Sequence, residues 1–214
     1  MHIFIAGGSG QTGSLVIDDL LGQNHTVTAL VRNTAAIRNR IGLDLVQGTP
    51  VHKADIQKSF SHQKPDVVIV TLASAKGTFE KGSFLTHVIC NIVSVMEEYS
   101  TDKIVYMSAF GVGDSYPELN FLMRAAVCIT PLGGKFLDHE GAEQVLKATD
   151  RINFVVVRPA MLTTGDKGKV KFLGLRREKW EFMPSITRAS VAGFIVEAAG
   201  SQEWIGKTPV ISNA

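Results

Sequence analysis

Short apolar, largely β-branched runs alternate along this chain with longer stretches in which apolar positions recur every three or four residues. The runs predict strands at 2–6, 26–32, 44–47, 67–72, 103–107 and 153–158. The run Val67-Val-Ile-Val-Thr-Leu72 has no polar face, as expected of a parallel strand covered by helices on both sides. The periodic stretches predict helices at 11–22, 35–41, 55–61, 83–99, 119–129 and 134–148. In the longest, Leu85, Val88, Ile89, Ile92, Val95 and Met96 share one stripe. Six strands alternating with helices predict an α/β fold, a Rossmann-like doubly wound parallel sheet. After Pro159 the rhythm breaks. A turn at 165–168, a short strand at 169–173, a helix at 186–199 and a last edge strand at 209–212 are expected. Residues 1–214 are read as one domain, with 159–214 forming a lid over the carboxyl ends of the strands.

Composition narrows the class. The 214 residues are 45% hydrophobic and 20% charged, as in an ordinary globular protein. With 22 basic and 20 acidic residues the net charge is +2, too balanced for a nucleic-acid surface. Apolar runs stay well short of a membrane span. The apolar start has no basic leading region and is read as a strand, not a targeting segment, so a cytoplasmic protein is expected. Cys90 and Cys128 lie in apolar helical stretches and are expected to be buried, reduced thiols. No Cys/His cluster suggests a metal.

The chemistry begins at the first strand–helix junction. Glycines recur at Gly7, Gly10 and Gly13 between the run ending at Ala6 and the helical pattern starting at Leu15. Gly7 permits a tight turn, Gly10 leaves room for a pyrophosphate, and Gly13 lets the helix approach the strand. The free N–H groups and dipole of the helix N-terminus favour an anion there. Strand 2 then ends in Arg32, followed by Asn33. An acidic residue at that place would bond a ribose 2′-hydroxyl and repel a 2′-phosphate. A guanidinium grips the phosphate instead, so the expected cofactor is NADP(H).

The ordered blocks Ala6-Gly-Gly-Ser-Gly-Gln-Thr-Gly13, Val27-Thr-Ala-Leu-Val-Arg-Asn33, Val46-Gln-Gly48, Val67–Leu72, Cys90-Asn-Ile-Val-Ser-Val-Met96, Lys103-Ile-Val-Tyr-Met-Ser-Ala-Phe110 and Asp138-His139 resemble the atypical short-chain dehydrogenase/reductase proteins. Within these the chain looks most similar to the flavin reductase (biliverdin-IXβ reductase) group, then to the NmrA-like group. The likeness covers residues 1–162 and, more loosely, 185–197. It implies that Gly7, Ser9, Gly10, Gln11, Thr12 and Gly13 hold the pyrophosphate and that Arg32 takes the 2′-phosphate. Leu72, Ala73 and Ser74 would line the adenosine and ribose. Ser108, Ala109 and Phe110 would sit beside the nicotinamide, and Pro159 and Ala160 would offer backbone to its carboxamide.

Two departures from that pattern bear on chemistry. The family's Gly-Asp pair after strand 3 is Gly48-Thr49 here, which leaves Thr49 without the charge that helps hold adenine. The usual Tyr-x-x-x-Lys pair is replaced by Lys135 and His139, so the tyrosine acid is missing. Ser108 and His139 are the candidate catalytic residues: Ser108 as a hydroxyl at the end of strand 5, His139 as a proton donor near neutral pH or else a helix-surface histidine bonded to Asp138 or Glu143.

Weak acid assistance suits acceptors whose reduced form solvent can protonate. The leading expectation is therefore an NADP(H)-dependent reductase of a small planar conjugated acceptor such as a flavin, quinone, bilin or aromatic ketone. A non-catalytic NADP(H) sensor and an isomerase- or dehydratase-type relative are the alternatives. Selectivity is expected from 111–124, with Tyr116, Phe121, Leu122 and Met123, and from 161–184. The latter carries Lys167, Lys169, Lys171, Arg176, Arg177 and Lys179 with Trp180 and Phe182. A monomer or homodimer is expected.

Overall fold

The computed structural model describes residues 1–73, 83–173 and 183–214. Ten strands and six helices are formed among them: β1 (His2–Ala6), α1 (Gln11–Gly22), β2 (Thr26–Val31), β3 (Leu43–Gln47), α2 (Lys53–His62), β4 (Val67–Val70), α3 (Phe84–Glu98), β5 (Lys103–Met107), α4 (Phe121–Ile129), α5 (Leu132–Lys147), β6 (Asn153–Pro159), β7 (Met161–Thr163), β8 (Val170–Leu173), β9 (Ser185–Thr187), α6 (Arg188–Gly200) and β10 (Val210–Asn213).

Eight strands form one sheet in the order β3-β2-β1-β4-β5-β6-β10-β8. All neighbours are parallel except β10 and β8. β7 and β9 make a separate parallel pair. The expected doubly wound sheet is thus present. The order reverses between β1 and β4, which puts the topological switch point beside the glycine turn.

Two-residue periodicity sorts the strand side chains onto two cores. Ile3, Ile5, Val27, Ala29 and Val31 face α1 and α6. Phe4, Ala6, Leu30, Val68 and Val70 face α2, α3 and α5. Both faces are covered, which is why these strands read as continuous apolar runs.

Several expectations are corrected. The helix expected at 35–41 is a single 3-10 turn, Thr34–Ala36, opened by the Asn33 side chain accepting from the Ala35 N–H. The last strand is not an edge: β10 lies between β6 and β8, and β8 is the edge. The short pair β7–β9 was not anticipated. Before α4, Gly113–Glu118 forms a 3-10 turn. Cys90 and Cys128 are exposed free thiols rather than buried ones. Cys90 falls on the outer side of α3, whose core stripe is the Leu85–Met96 set, and α4 has no fully buried residue for Cys128 to join.

Candidate functional site

The carboxyl ends of β1, β4, β5 and β6 are adjacent in the sheet, so the loops following them share one side of the molecule. The glycine turn heads this row. Gly7 has φ +99°, a conformation costly for any residue with a Cβ. The Gly10 N–H bonds the Gly7 carbonyl at 3.0 Å, and Gly10 is the N-cap of α1. A Cβ on Gly13 would lie 2.2 Å from the Gly7 carbonyl oxygen, and one on Gly7 would lie 2.8 Å from Thr71. The turn, α1 and the end of β4 therefore approach as only glycines allow.

The first bond within α1 runs from the Ser14 N–H to Gly10, leaving the preceding N–H groups of the first turn outside the ladder. Ser9, Gly10 and Gln11 are exposed, while Thr12 is buried. No side chain caps this helix start, and the Thr71 Oγ1 beside Gly7 and Gly13 is buried without a partner. An uncapped helix N-terminus and a glycine-only cradle fit a pyrophosphate.

Arg32 follows β2, exposed and without a hydrogen bond or ion pair to any described residue. The Gly48 N–H bonds the Val31 carbonyl at 2.9 Å, which sets Gly48 beside the start of the Arg32 turn. Thr49 donates its N–H to Asp55 Oδ2 at 2.9 Å. Asp55 packs so closely on Gly48 that a Cβ there would lie 2.7 Å from its carboxyl carbon. An acidic group missing from position 49 is thus present next to it. Asn33 is occupied by its local turn. Leu72 is half-buried and Ala73 exposed just past β4; Ser74 lies outside the described residues, as do Arg176, Arg177, Lys179, Trp180 and Phe182.

After β5 the structure holds a charged network that sequence reasoning missed. Ser108 is 3% exposed, and its hydroxyl donates to Glu143 Oε1 at 2.6 Å. Arg158, fully buried at the end of β6, donates from Nε to Glu143 Oε1 at 3.1 Å and from Nη2 to Oε2 at 2.5 Å. Arg158 Nη1 stands 2.6 Å from Asp114 Oδ1, and Lys147 lies 3.5 Å from Glu143 Oε2. Desolvation works against the Arg158 cation, but the bonds and charges of Glu143 and Asp114 outweigh it and raise its pKa. The network ties α5, β6 and the loop after β5 together. Ala109 and Phe110 continue that loop, half-buried, and the Phe110 N–H bonds the Pro159 carbonyl at 3.0 Å. The Ala160 N–H is spent on Ile211. The signal in the sequence was a single charged residue, Arg158, inside an otherwise apolar strand.

His139 pairs with neither Asp138 nor Glu143. Its Nδ1 lies 2.7 Å from the Tyr106 hydroxyl. Burial depresses the His139 pKa to about 4 against the attraction of Asp138 and Glu143, so the ring is neutral at pH 7 rather than an acid poised near neutrality. Asp138 instead accepts the Leu85 N–H at 2.7 Å, near the start of α3. Gly141, where a Cβ would lie 2.2 Å from Thr86 Oγ1, lets α5 settle against α3. These contacts fix His139 at the site end of the sheet. Lys135 is exposed. At the start of α4, Phe121 and Leu122 are 78% and 52% exposed.

A model of NAD(P)H-binding proteins matches residues 7–202. A candidate UDP-glucose 4-epimerase of Methanocaldococcus jannaschii is 27% identical over 159 residues, which is 70% of this chain; the chain spans about half (51%) of that relative. Among solved structures, ChuY, an anaerobilin reductase from Escherichia coli O157:H7, superposes with a TM-score of 0.81 at 18% identity, covering 99% of this chain and 96% of its own. A candidate NAD-dependent epimerase/dehydratase from Bacillus halodurans gives 0.80 at 22% identity, covering 100% and 94%. A wide-type short-chain dehydrogenase/reductase from Veillonella parvula, in complex with NADP, gives 0.75 at 15%, covering 99% and 94%. At these identities the likeness to solved structures establishes the fold.

Proposed function

Since the chain belongs to the NAD(P)H-binding family, we propose that it is an NADP(H)-dependent reductase of a small planar conjugated acceptor. The observation that carries the cofactor choice is Arg32: an exposed guanidinium without a partner among the described residues, at the end of the strand next to the glycine cradle. A 2′-phosphate would supply the anion that the described residues do not. Gly7, Ser9, Gly10, Gln11, Thr12 and Gly13 would hold the pyrophosphate. Leu72, Ala73 and Thr49, with Asp55 beside it, would border the adenosine, and Ala109, Phe110, Pro159 and Ala160 the nicotinamide. When bound, the dinucleotide supplies a hydride.

The protein's own groups support the acceptor class. A ketone reductase needs a hydroxyl or cation ready to protonate an alkoxide. Here α5 has no tyrosine. The Ser108 proton is held by Glu143, and the Tyr106 hydroxyl is engaged with His139. An acceptor whose reduced form solvent can protonate escapes that deficit; flavins, quinones and bilins do. The fold shared with an anaerobilin reductase is in keeping with this reading. Residues 159–214 and the loop through α4 would shape the acceptor's pocket.

NADPH oxidation followed by absorbance across flavins, quinones, bilins and aromatic ketones tests the proposal. At least one flavin, quinone or bilin should raise consumption well above background. If NADPH binds and none does, the same engaged hydroxyls support the second reading, a non-catalytic NADP(H) sensor.

A further inference from the structure

We propose that Tyr106 is a positioning residue that locks His139 as a neutral Nε2–H donor, directed at an acceptor oxygen of the dinucleotide on its nicotinamide side. The inference rests on the dinucleotide reading above and assigns the site a donor that the glycine cradle and Arg32 do not provide.

Geometry fixes the tautomer. Tyr106 is fully buried in β5, and its hydroxyl has one partner among the described residues, His139 Nδ1 at 2.7 Å. If Nδ1 carried the proton, the phenol would accept and its own O–H would be buried with nothing to receive it, which costs about 1–3 kcal/mol. The phenol also cannot ionise to avoid this, because burial and then the charges of Glu143 and Asp138 push its pKa well up. The phenol therefore donates, Nδ1 accepts, and the ring hydrogen resides on Nε2.

The other ring nitrogen is uncommitted among the described residues. His139 Nε2 has no bond to any described residue, and it is not among the polar atoms sealed without a partner. Tyr106 lies two residues before Ser108, on the same face of β5, and α5 brings His139 and Glu143 to those two side chains one turn apart. The network of Ser108, Glu143 and Arg158 turns its polar atoms inward. The Tyr106–His139 pair leaves one donor, Nε2–H, uncommitted among the described residues. A neutral donor binds reduced and oxidised dinucleotide without adding a charge beside the ring whose charge changes between the two forms.

Ring-nitrogen NMR of 15N-histidine-labelled protein, with His139→Gln used to assign its signals, tests the lock directly. The free parent should show His139 as the Nε2–H tautomer, and Tyr106→Phe should release it to a tautomer mixture. On adding NADP⁺, the parent's Nε2 signal should shift. His139→Ala should weaken dinucleotide affinity by about threefold to tenfold, as expected for one hydrogen bond, while His139→Gln, which keeps a donor, should recover part of it. An Nδ1–H tautomer in the free parent overturns the lock without using any variant. Dinucleotide binding with an unmoved Nε2 signal overturns the directed donor and leaves the cofactor reading intact. Absence of binding by either NADPH or NADH overturns both.

Discussion

Glu143→Gln is the sharpest perturbation of the buried network. Glu143 is 1% exposed and is the common acceptor of the Ser108 hydroxyl and two Arg158 nitrogens. Glutamine keeps the shape and one acceptor oxygen, but it removes the charge and turns an NH2 toward a donor. Arg158 is then left fully buried with only Asp114 as an ionic partner among the described residues, and that side chain is 54% exposed. Removing one partner of a buried pair typically costs about 3–5 kcal/mol, because the remaining charge stays desolvated. For a chain of this size that corresponds to a fall in Tm of roughly 6–20 °C. Urea unfolding of parent and variant at pH 7, at matched m-values, measures it. The pair replacement Glu143→Met with Arg158→Met should recover most of the loss, since the desolvated charge goes with its partner. A Glu143→Gln loss under about 1 kcal/mol would refute the view that this network holds the loop after β5.

Three further outcomes follow from particular contacts. Gly13→Ala should weaken dinucleotide affinity at least about tenfold in fluorescence titration, since its Cβ would meet the Gly7 carbonyl at 2.2 Å and push α1 off the turn; unchanged affinity would disconnect the cradle from binding. Folded protein should react with two equivalents of a thiol reagent without denaturant, because both cysteines are exposed; no reaction before unfolding would contradict this. His139 has a folded pKa of about 4 against an ordinary 6.5, so the unfolded chain binds more protons between those values, and its contribution to stability is full above pH 6.5 and lost as pH falls toward 4. The parent should therefore lose up to about 3 kcal/mol more than His139→Gln across that range in urea unfolding, and parallel pH profiles would refute the shift.

The parts of this molecule set by local pattern were legible in the chain. β1, α1 and β5 fall where the apolar runs and the glycine turn place them, because strand alternation and turn chemistry are local. The glycine turn needed no tertiary information, since Gly7 and Gly13 are demanded by their own backbone and nearest neighbours. What was not legible depends on distant partners. Whether 209–212 is an edge is decided by the antiparallel pairing of β10 with β8. The exposure of Cys128 depends on how far α4 stands from the core. Tyr106 reads as one more apolar strand residue until α5 sets His139 against it. Ser108 reads as a free hydroxyl until Glu143, 35 positions later, is found to hold its proton.

The central claim is that the glycine cradle and Arg32 together form a site for the 2′-phosphorylated dinucleotide. Fluorescence titration of NADPH and NADH against the parent and Arg32→Ala tests it most directly. The parent should bind NADPH about tenfold to a hundredfold more tightly than NADH, and Arg32→Ala should remove that preference while leaving NADH affinity nearly unchanged. Equal affinities in the parent, or a preference that survives the loss of Arg32, would contradict it.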